Sequence, residues 1–191
     1  MKNKGCLTAA VILVVGLLLL GLPLISSYNG FVAQREDVTG KWMQIDNQLQ
    51  RRYDLIPNLV ETVKGYVRHE EEVFTALADA RAKLGQGGTA AEMAQADAEL
   101  SAALSRLLVV VENYPTLKAD TQFLNLQHEL AGTENRLAIA RKDYNEAVQM
   151  YNTRIRRFPG MIIAGLFNFT PFDYYEIDDA ARQAPGVNFT D

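Results

Sequence analysis

Apolar residues follow two different patterns along this chain. From Leu7 to Ile25 they form one nearly unbroken run, LTAAVILVVGLLLLGLPLI, behind a short leader, residues 1–6, that carries Lys2 and Lys4. As a helix rising about 1.5 Å per residue the run spans roughly 28 Å, close to the roughly 30 Å hydrocarbon core of a bilayer. It therefore predicts a single transmembrane helix over residues 7–25. A cleaved secretory signal would share the basic start, the apolar centre and the small residues Ser26 and Ser27. Such a signal has a shorter core, usually about 7 to 15 residues, and an Ala-x-Ala site that this segment lacks, so a retained anchor is the expectation. Lys2 and Lys4 precede the run, and Arg35, Glu36 and Asp37 are the first charges after it. The positive-inside rule then leaves the N-terminus cytoplasmic and the bulk of the chain outside.

Beyond the run, apolar positions recur at alternating steps of four and three, the spacing of amphipathic helices. Phe31, Val38, Trp42, Ile45 and Leu49 mark a first helix ending near Arg52. Asp54 and Pro57 suit a new start near Leu55, because a proline in a first turn forfeits no hydrogen bond; a kink within one longer helix is the alternative. The second helix carries Leu59, Val60, Val63, Val67, Phe74, Leu77 and Leu84 and stops at Gly85. Thr89 with Glu92 forms a capping box that opens a third helix, bearing Met93, Leu100, Leu104, Leu107 and Val111, and Asn113-Tyr114-Pro115 closes it. Asp120 or Thr121 caps a fourth, with Phe123, Leu130, Leu137, Tyr144, Val148, Tyr151, Ile155 and Phe158 on its stripe and Pro159-Gly160 at its end. At roughly 37 residues, or about 55 Å, this helix suits a rod-like bundle.

These elements predict an all-α fold, a transmembrane helix followed by an antiparallel up-down four-helix bundle over residues 28–158. An up-down-up-down path returns the fourth helix toward the membrane. The apolar segment 159–172 then arrives near the bilayer but is too short to span it. Ile162, Ile163, Leu166 and Phe167 are its candidates for a membrane-interface or assembly surface, with packing against the bundle end as the other placement. Residues 173–191, with Asp178, Asp179 and Pro185-Gly186, read as a mobile acidic tail.

Charge occupies some stripe positions: Glu70 and Arg81 in the second helix, Glu134 and Arg141 in the fourth. Facing carboxylates and guanidiniums, with Arg81 opposite Glu134, would exchange charge-assisted hydrogen bonds and fix the helix register; each could equally sit at a stripe margin with its head in water. Asn135, Asn145 and Asn152 are candidates to join such a network. A net charge of −4 without a basic stripe gives no general attraction to nucleic acid. The two histidines, His69 and His128, lack the Glu-x-x-His pairs of di-metal bundles and the His-Glu-x-x-His of zinc proteases. Gly85 to Gly88 lacks the Lys-Ser/Thr of a phosphate loop, and Cys6 lies at the membrane end, away from both histidines. No catalytic, cofactor or metal site is expected.

Two blocks carry a family resemblance. Gln48-Leu49-Gln50-Arg51-Arg52-Tyr53-Asp54-Leu55-Ile56-Pro57-Asn58-Leu59-Val60-Glu61-Thr62-Val63 resembles the signature of the LemA family of bacterial membrane proteins. Glu129-Leu130-Ala131-Gly132-Thr133-Glu134-Asn135-Arg136, then Ala140-Arg141-Lys142-Asp143-Tyr144-Asn145, Tyr151-Asn152 and Phe158-Pro159 agree with it. With Tyr28-Asn29 and Ala80-Arg81, the likeness runs from about Tyr28 to Glu176. It implies a one-span anchor, an antiparallel four-helix bundle and no shared enzymatic activity. The leading expectation is a noncatalytic scaffold of the cell envelope, held in the lipid bilayer, self-associating as a homo-oligomer or binding another envelope protein, since membrane confinement raises the effective concentration of weak lateral contacts. A membrane sensor or signal-transmitting module is the alternative, though about six residues before the span can hardly form an output domain. A metal-dependent enzyme is the weakest reading.

Overall fold

The computed structural model describes residues 2–67 and 70–176, and side chains from residue 24 onward within that range. Its described residues form six helices and no strand: α1 (Lys2–Lys64), α2 (Glu71–Leu84), α3 (Ala90–Val111), α4 (Pro115–Lys118), α5 (Thr121–Arg156) and α6 (Gly160–Leu166). The chain divides into two compact units, residues 1–40 with 146–172 and residues 41–145 with 173–191. The first is called the α6 unit below and the second the α3 unit.

In the α3 unit, the later part of α1 runs antiparallel to the earlier part of α5. Lys41 pairs with Asp143 at 3.4 Å and Arg51 with Glu129 at 3.3 Å, so rising numbers on one helix meet falling numbers on the other. Ile45, Leu49 and Leu59 from α1 are buried with Leu77, Leu100, Leu107, Phe123 and Leu137, positions at which the four/three spacing placed a core, and Ile56 joins them. Burying each such side chain contributes about 1.5–3 kcal/mol. Both halves of the Thr89 and Glu92 capping box are present at the start of α3. Asp120 caps α5 by accepting the Phe123 backbone N–H at 2.9 Å.

The expected helix break near Arg52 is absent. α1 continues through Pro57 to Lys64, and the break comes at the turn around Gly65, so the second helix is Glu71–Leu84 alone. A proline inside a helix cannot donate to the carbonyl four residues back, here that of Tyr53, and normally leaves it orphaned. Arg81 supplies the missing donor: its Nε donates to the Tyr53 carbonyl at 3.0 Å while its guanidinium lies 3.7 Å over the Tyr53 ring. A Cβ on Gly85 would fall 2.9 Å from that ring, so Gly85 serves close approach, and its φ of −71° shows no left-handed cap. Arg81→Ala is expected to lower stability by about 1–2 kcal/mol in urea melts, the range for orphaning a partly buried acceptor. Pro57→Ala, which restores the backbone donor, is expected to remove much of that loss.

In the α6 unit, Phe31 and Val38 from α1 are buried with Val148, Tyr151 and Ile155 from α5 and Ile163 from α6. Asn152 secures the segment after α6: its Nδ2 donates to the Phe172 carbonyl at 2.8 Å, and its Oδ1 accepts the Phe172 N–H at 3.0 Å. The fourth predicted helix ends at Arg156, short of Phe158, which is exposed where the stripe placed it in the core. Among the described residues no helix is long and apolar enough to cross a membrane. The expected span Leu7–Ile25 falls almost entirely on side chains outside the described residues, as do His69 and the tail residues Asp178, Asp179, Pro185 and Gly186.

Candidate functional site

The centre of the α3 unit is an ionic cluster joining three helices. Asp97 on α3 is 2% exposed and Arg52 on α1 is 4% exposed. The Arg52 Nη1 donates to Asp97 Oδ1, and its Nη2 donates to the Ser101 hydroxyl at 3.0 Å. Arg141 on α5 donates from Nη2 to the other Asp97 oxygen. Glu134, about two helical turns before Arg141 on α5, completes the charge balance: its Oε1 lies 3.5 Å from Arg141 and its Oε2 lies 2.7 Å from Arg52, the latter a charge contact without hydrogen-bond alignment. Two guanidiniums and two carboxylates are therefore neutral as a set.

Tyr175 closes the cluster. Its hydroxyl lies 3.4 Å from Asp97 Oδ2 and 3.5 Å from the Met93 carbonyl, and its ring lies under the Arg141 guanidinium at 5.2 Å and beside Trp42 at 6.3 Å. Asn145 fixes its backbone, with Nδ2 donating to the Tyr175 carbonyl at 3.0 Å and Oδ1 accepting the Tyr175 N–H at 2.9 Å. The tail assigned from Asp173 thus begins with residues docked on the α3 unit. Burial pushes the Asp97 carboxyl above its ordinary value, against the lowering pull of Arg52 and Arg141, with Glu134 adding to the rise. Burial, then the Asp97 charge, push the Tyr175 phenol far up. A folded value raised above the unfolded one gives stability that is present below the unfolded value and lost as pH rises through it. Tyr175 is therefore expected to stay protonated when exposed tyrosines ionise near pH 10, and stability should fall as pH climbs beyond that, read by absorbance at 295 nm alongside helicity; Tyr175→Phe should flatten the slope.

Of the residues singled out by sequence, Glu134 and Arg141 lie together, whereas Arg81 sits on Tyr53 and does not meet Glu134. Glu70 is the N-cap of α2 and its side chain makes no cap hydrogen bond. Arg52, Asp97 and Tyr175 were missed. Arg52 sits between Leu49 and Ile56, and Asp97 between Met93 and Leu100, each at a stripe step of three and four, so the rule that pointed to Glu134 could have found both. Tyr175 lies outside any periodic segment and gave no signal.

The α6 unit places the apolar candidates on two sides of one short helix. Ile163 is 3% exposed and Ala164 is buried, while Ile162 is 57% and Leu166 69% exposed. Phe167 packs its ring 4.8 Å from Tyr28, and Phe169 lies 5.6 Å from Tyr28 and 5.2 Å from Phe31. Tyr28 follows Ile25, the end of the apolar run, by three residues. The outward face of α6 is thereby fixed beside the part of α1 that leaves the run. His128 is exposed on α5, and among the described residues no group of three metal-capable side chains converges.

Comparison with known proteins gives one family and several relatives. The profile of the LemA family matches residues 41–189. The chain is 28% identical to Magnetosome protein MamQ 2 and to Magnetosome protein MamQ 1 of Paramagnetospirillum magneticum, in each case covering 80% of this chain and 66% of the relative. It is 26% identical to Magnetosome protein MamQ of Magnetospirillum gryphiswaldense, covering 80% of this chain and 65% of that protein. The chain thus spans just under two-thirds of the length of these curated relatives.

Proposed function

Because this chain belongs to the LemA family, we propose that it is a noncatalytic helical scaffold of the bacterial cell envelope, anchored by residues 7–25 and self-associating at the membrane surface. The carrying observation is the outward apolar face of α6, held by the contact of Phe167 with Tyr28 just past the end of the apolar run. An exposed set of large apolar side chains has a cost in water and a use against lipid or a neighbouring copy. The ionic cluster of Asp97 supports the same reading, since it ties α1, α3 and α5 in one register and gives the α3 unit a fixed shape on which lateral contacts can build. The relatives' names refer to the magnetosome and to no reaction. The N-terminus is cytoplasmic in this proposal and the helical domain lies outside.

Alkaline carbonate washing of membranes tests the anchor. The full-length protein is expected to remain in the pellet, and a chain lacking residues 7–25 to be released with its helicity intact. Release of the full-length protein would contradict the anchor. Protease added outside intact cells bounded only by the inner membrane should digest the helical domain; digestion only after lysis would reverse the topology.

A further inference from the structure

In the α6 unit a cleft of about 590 Å³ lies between α1, the end of α5 and the turn into α6, with Ser27, Phe31, Gln34, Arg154, Arg157 and Phe158 among its lining residues. That volume falls within the range of small-molecule sites. Its charge is one-sided: Arg154 and Arg157 line it, no acidic side chain is among its lining residues, and among the described residues neither arginine forms an ion pair. Arg154 is nonetheless held in place. Its guanidinium lies 5.0 Å over the Phe31 ring, and a Cβ on Gly30 would fall 2.3 Å from its Nη2, so Gly30 clears the space it occupies. Gly160 allows the close approach of the α5 end, since a Cβ there would meet the Arg154 backbone carbonyl and fall 3.0 Å from the Phe31 ring. A positioned guanidinium fork with a second one nearby is the arrangement that suits phosphate oxygens.

We propose that this cleft binds the headgroup of an anionic phospholipid, its phosphate on Arg154 and Arg157. This rests on the membrane-anchored reading, which supplies the depth. Ser27 and Phe31 follow Ile25 by about 3 and 9 Å of helix rise, bracketing the roughly 5–7 Å headgroup layer outside each face of the hydrocarbon core. Phe158, exposed beside the cleft, gives the first acyl carbons an apolar surface. A free phosphate would use the two arginines alone, while a lipid uses the arginines and the apolar rim together.

The test is native mass spectrometry of the full-length protein in a neutral detergent, titrated separately with phosphatidylglycerol, phosphatidylcholine and inorganic phosphate. One retained phosphatidylglycerol is expected, held more tightly than phosphatidylcholine and not displaced by millimolar phosphate. Retention should weaken about tenfold or more in Arg154→Gln/Arg157→Gln and recover in part in the double lysine variant, since charge survives but the fork does not. Arg157→Gln alone, at an exposed position outside the core, should weaken retention severalfold with unchanged helicity and guards against misfolding of the double variant. Equal retention by the wild type and Arg157→Gln would overturn the proposal, as would full displacement by inorganic phosphate, which would mark a free-anion site. Carbonate-resistant membrane retention with no phosphatidylglycerol preference would remove the lipid site and leave the scaffold reading standing; carbonate release would remove both.

Discussion

Asp97→Ala is expected to destabilise the helical domain by about 3–5 kcal/mol, the cost of removing one member of a buried charge set and leaving its partners unpaired. Arg52 and Arg141 both donate to this carboxylate, one from α1 and one from α5, and Asp97 itself is 2% exposed. Without it, two guanidiniums confront each other with only the more exposed Glu134 to balance them. Removing all the charge should behave differently. Arg52→Met/Asp97→Leu/Glu134→Gln/Arg141→Met is expected to fold with stability near that of the wild type, because well-packed neutral replacements of buried ion sets are often neutral or stabilising. Urea denaturation followed by circular dichroism measures both. A loss below about 1 kcal/mol for Asp97→Ala, the size expected of an exposed pair, would show that the cluster is not buried in solution.

Ile162→Asp/Leu166→Asp is expected to leave helicity intact and to abolish most of the oligomer recovered on membrane extraction. Both side chains are more than half exposed, so no core contact is lost, while two carboxylates would oppose burial against lipid or a second copy. Ile163→Asp gives the internal contrast. That side chain is 3% exposed within the α6 unit, so the same chemistry one residue along should unfold the unit instead. Normal assembly of the double variant would remove α6 as an assembly surface.

The parts of the fold legible in the sequence were those with a local cause. The Thr89 and Glu92 cap, the Asp120 cap and the closure of α3 ahead of Pro115 each follow from side chains within a few residues of one another. At Pro57 the expected break fails and the alternative of one longer helix holds, for the opposite reason. A proline breaks a helix only if nothing else satisfies the carbonyl it orphans, and the group that does so, Arg81, lies 28 residues from Tyr53. The same Arg81 meets a carbonyl and a ring in place of the expected carboxylate, since periodicity shows that a charge faces inward and cannot show which polar atom it meets. Stripe spacing likewise found Glu134 and Arg141 but not the carboxylate between the arginines, although Asp97 occupies the same kind of position. Tyr175 and the docking of Asn145 on its backbone depend on an irregular segment, for which neither period applies. The division of segment 159–172 into a buried Ile163 and an exposed Ile162 required the short α6 to exist and its rotation to be known.

Self-association at the membrane surface is tested most directly by chemical crosslinking of the full-length protein in intact membranes, followed by mass spectrometry. The scaffold account predicts links between two copies of this chain close to α6 and the first turns of α1 beyond Ile25, lost in Ile162→Asp/Leu166→Asp. Links confined within single copies, or running only to other proteins with the chain itself monomeric, would contradict it.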